Sequence, residues 1–217
     1  MKNQTIKLII TGLALSIPTV RAELTITASA ANTVSMALLS GAVLPGSSSR
    51  VELGYYSGSV NRALFESYTS ASSFTTGWTS LATGTSNWSG YEGLFSVDTL
   101  LATGNNTLVN KQLFILVGNN TSIASSTEIA VMTNTSWLVP ANPTGDIPDA
   151  YGFDILDVTT QQSGILFGAY LAGGGAYPTE GVVDAVTLQA VVPEPSTGAL
   201  MMIGAAGLVA LRRLRKV

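Results

Sequence analysis

Residues 50–56 read Arg50-Val51-Glu52-Leu53-Gly54-Tyr55-Tyr56. Val51, Leu53 and Tyr55 alternate with Arg50, Glu52, Gly54 and Tyr56. That period of two belongs to a half-buried β-strand, whose successive side chains point to opposite faces of a sheet. Working outward, residues 94–101, 112–117, 128–133 and 182–191 carry the same β-branched and aromatic character. Between them stand turn formers: Ser57-Gly58, Gly104-Asn105-Asn106, Gly118-Asn119-Asn120 and Gly173-Gly174-Gly175. Short strands separated by such clusters predict an all-β chain, a single antiparallel β-sandwich or jelly-roll-like domain over residues 23–191. Residues 62–68 and 73–82 are expected as short helices or helical turns lying on the sheet.

Composition narrows the function. The chain has no cysteine, so a packed core and not a disulfide framework must hold an exported domain of this size together. Between residues 23 and 194 only Arg50, Arg62 and Lys111 are basic, against all thirteen acidic residues, a formal charge of −10. The overall value of −3 conceals that acidity, because the other basic residues sit at the two ends of the chain. Such a surface disfavours nucleic acid and anionic lipid headgroups.

The absence of histidine excludes Ser-His-Asp and Cys-His nucleophilic sites and the usual zinc centres. No glycine-rich loop carries the lysine of a phosphate-binding loop. For an enzyme there remains a pair of carboxylates, as in a glycosidase, drawn from Glu92, Asp98, Glu128, Glu180 and Asp184. Surface carboxylates that keep the domain soluble are the simpler reading, and no catalytic residue and no cofactor are expected. Asp146, Asp149, Asp154 and Asp157 gather four hard oxygen donors in a Pro- and Gly-containing loop, a weak calcium candidate. Their spacing lacks the EF-hand pattern, so a solvated acidic loop with no metal is expected. Trp78, Trp88, Tyr91 and Trp137 offer ring faces for a sugar, against the commoner fate of aromatics in a β-domain core. Asn87, Asn105, Asn119, Asn120 and Asn134 stand in N-x-[S/T] sequons, which mostly reflect turns rich in Asn, Ser and Thr.

The two ends read as sorting signals. Lys2 and Lys7 precede an apolar run from Leu8 to Ile17, and Pro18 ends it before Val20-Arg21-Ala22. Residues 1–22 are therefore expected to be a signal-peptide helix, cut between Ala22 and Glu23. At the other end, Val192, Pro193, Glu194 and Pro195 lead through Ser196 and Thr197 to an uncharged, mostly apolar run from Gly198 to Leu211. The prolines fix φ and keep Glu194 out of the helical region, presenting a strand-like segment to a processing cleft. The run over 198–211 is expected as a short transmembrane helix. Arg212, Arg213, Arg215 and Lys216 would hold its end on the cytoplasmic side as a basic stop-transfer tail.

The Val192-Pro193-Glu194-Pro195 tetrapeptide, the apolar run and the arginine cluster together resemble the PEP-CTERM sorting domain of Gram-negative bacteria, here residues 192–217. The resemblance implies recognition near Pro193–Pro195 by an exosortase, an integral-membrane cysteine protease. It also implies an inner-membrane intermediate and delivery to the cell surface or extracellular matrix of a host that makes exopolysaccharide. Lys111-Gln112-Leu113-Phe114-Ile115-Leu116-Val117, then Glu128-Ile129-Ala130-Val131-Met132 and Trp137-Leu138-Val139-Pro140, further resemble exported PEP-CTERM passengers of Verrucomicrobia, as two neighbouring strands closed by a tryptophan.

The expected function is accordingly a non-catalytic surface, biofilm or matrix protein. Its expected processing partners are signal peptidase and exosortase, with the membrane as a transient partner, exopolysaccharide as a further one, and no nucleic acid. A carbohydrate- or surface-binding module is the alternative; its ice-binding variant would need regular threonine arrays, and the chain has no fixed-period repeat. A carboxylate glycosidase ranks third.

Overall fold

The computed structural model describes residues 23–30, 34–102, 108–139, 149–155, 163–177 and 181–191. The expected signal peptide, transmembrane run and basic tail lie outside them. Within them the protein is all-β. In chain order the strands are β1 Glu23–Ser29, β2 Val34–Ala37, β3 Arg50–Tyr56, β4 Trp78–Gly84, β5 Asn87–Trp88, β6 Tyr91–Glu92 and β7 Ser96–Ala102. They continue with β8 Gln112–Gly118, β9 Glu128–Leu138, β10 Asp149–Asp154, β11 Ile165–Phe167, β12 Ala169–Tyr177, β13 Gly181–Thr187 and β14 Gln189–Ala190.

The central sheet has the order β11-β9-β8-β3-β4, with β14 added alongside β9. Two three-stranded sheets, β10-β1-β7 and β12-β13-β2, and the small β5-β6 hairpin complete the fold. Antiparallel pairing dominates, but β1 pairs β10 and β2 pairs β13 in parallel. The purely antiparallel expectation needs this amendment. Local alternation reports that a segment is a strand and is silent about which distant strand it meets, because parallel partners are joined by long crossovers.

The strand that opened the sequence reading is covered on both faces. Val51 and Leu53 point into a core built with Leu113 and Ile115 of β8 and Ala130 and Met132 of β9. Ile26 of β1, Met36 of β2, Val97 of β7 and Val186 of β13 close that core from the two smaller sheets. The opposite face carries Tyr56, Phe114, Leu116, Ile129 and Val131, and is capped by helical turns instead of strands. Phe65 from helix α1 (Arg62–Glu66) and Phe74 from a 3-10 turn at Ala71–Thr75 stack there, with ring centroids 5.7 Å apart and planes 10° apart. Tyr56 meets Phe114 edge-on at 5.3 Å and donates its hydroxyl to the Phe74 carbonyl at 2.8 Å. Burial, with lesser repulsion from Tyr68 and Glu52, pushes the Tyr56 phenol far above its ordinary range.

Helix α1 appears where it is expected but ends early. Asn61 caps it, its Oδ1 accepting from the Leu64 amide at 2.9 Å. The helix or helical turn expected over residues 73–82 is present only as the end of a 3-10 turn: that turn stops at Thr75, Gly77 takes φ +69°, and β4 begins at Trp78. A left-handed glycine breaks helical continuation, and pairing with β3 claims the residues beyond it. Gly54 explains how β4 fits: a Cβ there would stand 2.2 Å from the Thr79 carbonyl and 2.7 Å from the Trp78 ring, so only glycine lets β4 cross so closely.

Candidate functional site

The strand pair suggested by residues 111–139 is real. β8 and β9 are antiparallel neighbours, with Leu116 opposite Val131 and Gly118 opposite Ile129. Near their far end the register shifts, and the Gln112 side chain fastens the irregularity. Its Nε2 lies 2.9 Å from Thr133 Oγ1, 2.6 Å from the Asn134 carbonyl and 3.0 Å from the Trp137 carbonyl. Trp137 is thereby turned inward and is 1 % exposed.

At the near end, β9 meets the chain's last described strand. Gln189 pairs with Ile129 and Ala190 with Glu128. The Val191 amide donates to the Thr127 carbonyl at 2.9 Å, and its side chain, 8 % exposed, is buried among the apolar residues beneath the helical turns. Just before it, fully buried Leu188 donates its amide to the Ala37 carbonyl at 2.8 Å. Asn119 holds the receiving edge: its Oδ1 accepts from the Thr127 amide at 2.9 Å and the Glu128 amide at 3.1 Å. The sequence of residues 182–191 could not have revealed this clamp; the sequon pattern flagged Asn119 for a different reason. The sheet therefore claims the chain as far as Val191, two positions before Pro193. Val192, Pro193, Glu194, Pro195, Arg212, Arg213, Arg215 and Lys216 lie outside the described residues, as does Ala22. Glu23, on the other side of the expected signal-peptidase bond, is the first residue of β1.

The remaining candidates are scattered. Asp149 and Asp154 begin and end β10, so at about 3.3 Å per residue they stand roughly 16 Å apart along a strand and not in the loop expected for them. Asp146 and Asp157 lie outside the described residues, as does Glu180. Among the described residues no cluster of three or more metal-ligating side chains occurs. The carboxylates proposed for acid–base work sit on separate strands, Glu92 on β6, Asp98 on β7, Glu128 on β9 and Asp184 on β13. Two of them serve the backbone. Glu128 accepts the Leu39 amide at 2.8 Å. Asp184 accepts the Tyr170 hydroxyl at 2.5 Å and the Gly173 amide at 3.0 Å, across the β12–β13 hairpin. Those two bonds, the hydroxyl first, hold the Asp184 carboxyl below its ordinary value. The hydrogen bond to Asp184, with burial and the carboxylate's charge as lesser causes, pushes the Tyr170 phenol up.

The aromatics do not converge either. Trp137 is in the main core, and Trp78 packs on Tyr56 at 4.9 Å while donating its indole N–H to Glu52 at 2.7 Å. Trp88, 43 % exposed, faces Tyr91 across the β5–β6 hairpin. The three cations of the domain are equally dispersed. Arg50 pairs with Glu52 at 2.9 Å, Arg62 donates to the Ile165 carbonyl at 2.5 Å, and Lys111 lies 5.9 Å from the Tyr55 ring centroid. A groove of about 470 Å³ runs beside Tyr56, Ser57, Gly58, Ser59, Val60, Gln112 and Phe114.

The C-terminal end of the chain carries a recognised motif. Residues 191–216 match the model of the PEP-CTERM protein-sorting motif. The class is that of exported proteins carrying an exosortase-processed tail, which pass through a membrane-associated sorting stage to the surface. Comparison with curated proteins and with solved structures gave no match for the chain.

Proposed function

We propose that the β domain is a non-catalytic building block of the cell surface or extracellular matrix of a Gram-negative, exopolysaccharide-producing bacterium. In this reading, signal peptidase cuts between Ala22 and Glu23, residues 198–211 hold the intermediate in the inner membrane, and an exosortase then removes the tail. The observation that carries the reading is the match of residues 191–216 to the sorting motif, directly after the described β domain in the sequence. The domain is therefore what the motif delivers, with no further described unit between them. Among the described residues, the placing of Glu92, Asp98, Glu128 and Asp184 on four different strands supports a scaffold over a reaction centre.

A carbohydrate- or surface-binding module is the second reading, favoured by the exposed Trp88 ring on its hairpin. Replacement of Pro193, Glu194 and Pro195 together by alanine tests the sorting reading. The expected result is an intact domain that stays in the membrane fraction with its tail attached. Normal maturation of that triple variant would sink it. Binding of the released domain to the host's own polysaccharide, lost on Trp88→Ala, would move the assignment to the second reading.

A further inference from the structure

Of the three described cations, two have an electrostatic partner and one does not. Arg50 is paired with Glu52, and Lys111 lies over the Tyr55 ring. Arg62 makes no ion pair among the described residues, although the domain is strongly acidic and Glu66 stands one helical turn further along α1. Its guanidinium reaches across to β11 instead, where Nη2 donates to the Ile165 carbonyl. That one bond suffices to tether the helix. A guanidinium carries five N–H donors in a planar fork, so most of its capacity remains for another acceptor. Arg62 is also one wall of a hollow of about 190 Å³, completed by Ile165, Gly168, Ala169 and Tyr170. Gly168 and Ala169 bring no bulky side chain to it, and no described acidic residue lines it. Tyr170 packs against the main core, and its hydroxyl is held by Asp184, so its ring is fixed in the wall.

We infer that this hollow binds an acidic sugar residue of a polysaccharide, with Arg62 holding the carboxylate and Tyr170 giving the sugar ring a surface to lie on. The inference deepens the carbohydrate-binding reading above and rests on it. Guanidinium and carboxylate match in plane and spacing and join through two parallel N–H···O bonds. In a hexuronate the carboxylate is attached directly to the pyranose, so engaging Arg62 brings the apolar C–H face of the ring toward the tyrosine. An Asp or Glu carboxylate of a protein stands on a flexible stem with no ring to place there, so a saccharide fits better than a peptide. The hollow is smaller than the roughly 300–1,000 Å³ of a pocket that encloses a whole drug-sized ligand. It therefore takes one charged unit of a polymer, and strong attachment comes from many domains engaging one polymer chain. The formal charge of −10 over residues 23–194 does not forbid this, because exposed charges more than about 8 Å away are largely screened at physiological ionic strength.

The test is isothermal titration calorimetry of the exported protein, recovered from its producing host, with trigalacturonate as the probe. Its methyl ester keeps the rings without the charge, and a triglutamate peptide keeps the charge without the rings. Trigalacturonate is expected to bind about fivefold more tightly than either. Arg62→Gln should weaken it by about the same factor, and Arg62→Lys, which keeps the charge and loses the fork, by about threefold. Lys111→Gln should leave binding unchanged. Melting temperatures taken alongside separate lost binding from lost folding, and Arg62→Lys decides the matter if Arg62→Gln unfolds. Equal binding of the ester overturns carboxylate recognition, and equal binding of the peptide overturns the sugar assignment. An unweakened Arg62→Lys, or equal weakening by Lys111→Gln, overturns the site. Saccharide binding that survives Arg62→Gln and is lost in Trp88→Ala overturns the inference and leaves the carbohydrate-binding reading standing. Failure to bind trigalacturonate overturns the inference, and failure to bind the host's own polysaccharide as well overturns both.

Discussion

Replacing Trp137 by alanine separates a core tryptophan from a ligand-binding one. The indole is 1 % exposed and belongs to the core that joins the central sheet to the two smaller ones. Its backbone carbonyl is also held by Gln112 at the β8–β9 irregularity, so the surrounding chain has little freedom to collapse into the space left behind. Truncating a buried tryptophan costs about 3–5 kcal/mol, toward the upper end where the site relaxes poorly. A domain of this size loses roughly 2–4 °C of melting temperature per kcal/mol, so the expected drop is about 10–15 °C. Thermal unfolding of residues 23–195 followed by near- and far-ultraviolet circular dichroism measures it, with Trp88→Ala as the exposed control. A drop below about 3 °C for Trp137→Ala would refute the packing argument, since it lies beneath what even a half-buried tryptophan should show.

Three further outcomes follow from the geometry. Asn119→Ala leaves the Thr127 and Glu128 amides without their acceptor and should cost about 1–3 kcal/mol, read as faster amide exchange at those two positions and at Val191. The Asp184 carboxyl is held below its ordinary value of 3.8, so the stability it contributes is present above that value and is lost as pH falls through the folded one. The Gly173 amide resonance should therefore titrate with an inflection below 3.8, move upward toward that value in Tyr170→Phe, and lose the inflection in Asp184→Asn. The triple alanine replacement of Pro193, Glu194 and Pro195 should leave the melting temperature of the domain unchanged while blocking removal of the tail, because the described sheet ends at Val191.

The strands were legible because alternation is a local property. Residues 50–56 and 112–117 form β3 and β8 almost as read, and 128–133 proved to be the first part of the longer β9. Residues 73–82 misled because their composition suits a helix turn as well as a strand, and only pairing with β3 across Gly54 decides between them. The acidic stretch misled similarly: Asp149 and Asp154 sit among turn-forming residues, but residues 149–154 lie alongside β1 as β10.

The sorting motif needed no fold. Prolines, an uncharged run and a basic cluster are recognised as a sorting motif by their order along the chain, so linear sequence determines them. Which aromatics are buried, which carboxylates hold backbone amides, and how tightly the last strand is tied were decided by tertiary structure alone. Each depends on groups tens of residues apart, as when Thr127 receives the Val191 amide. Local sequence sets the faces of a strand, but only the packed sheet decides what covers them.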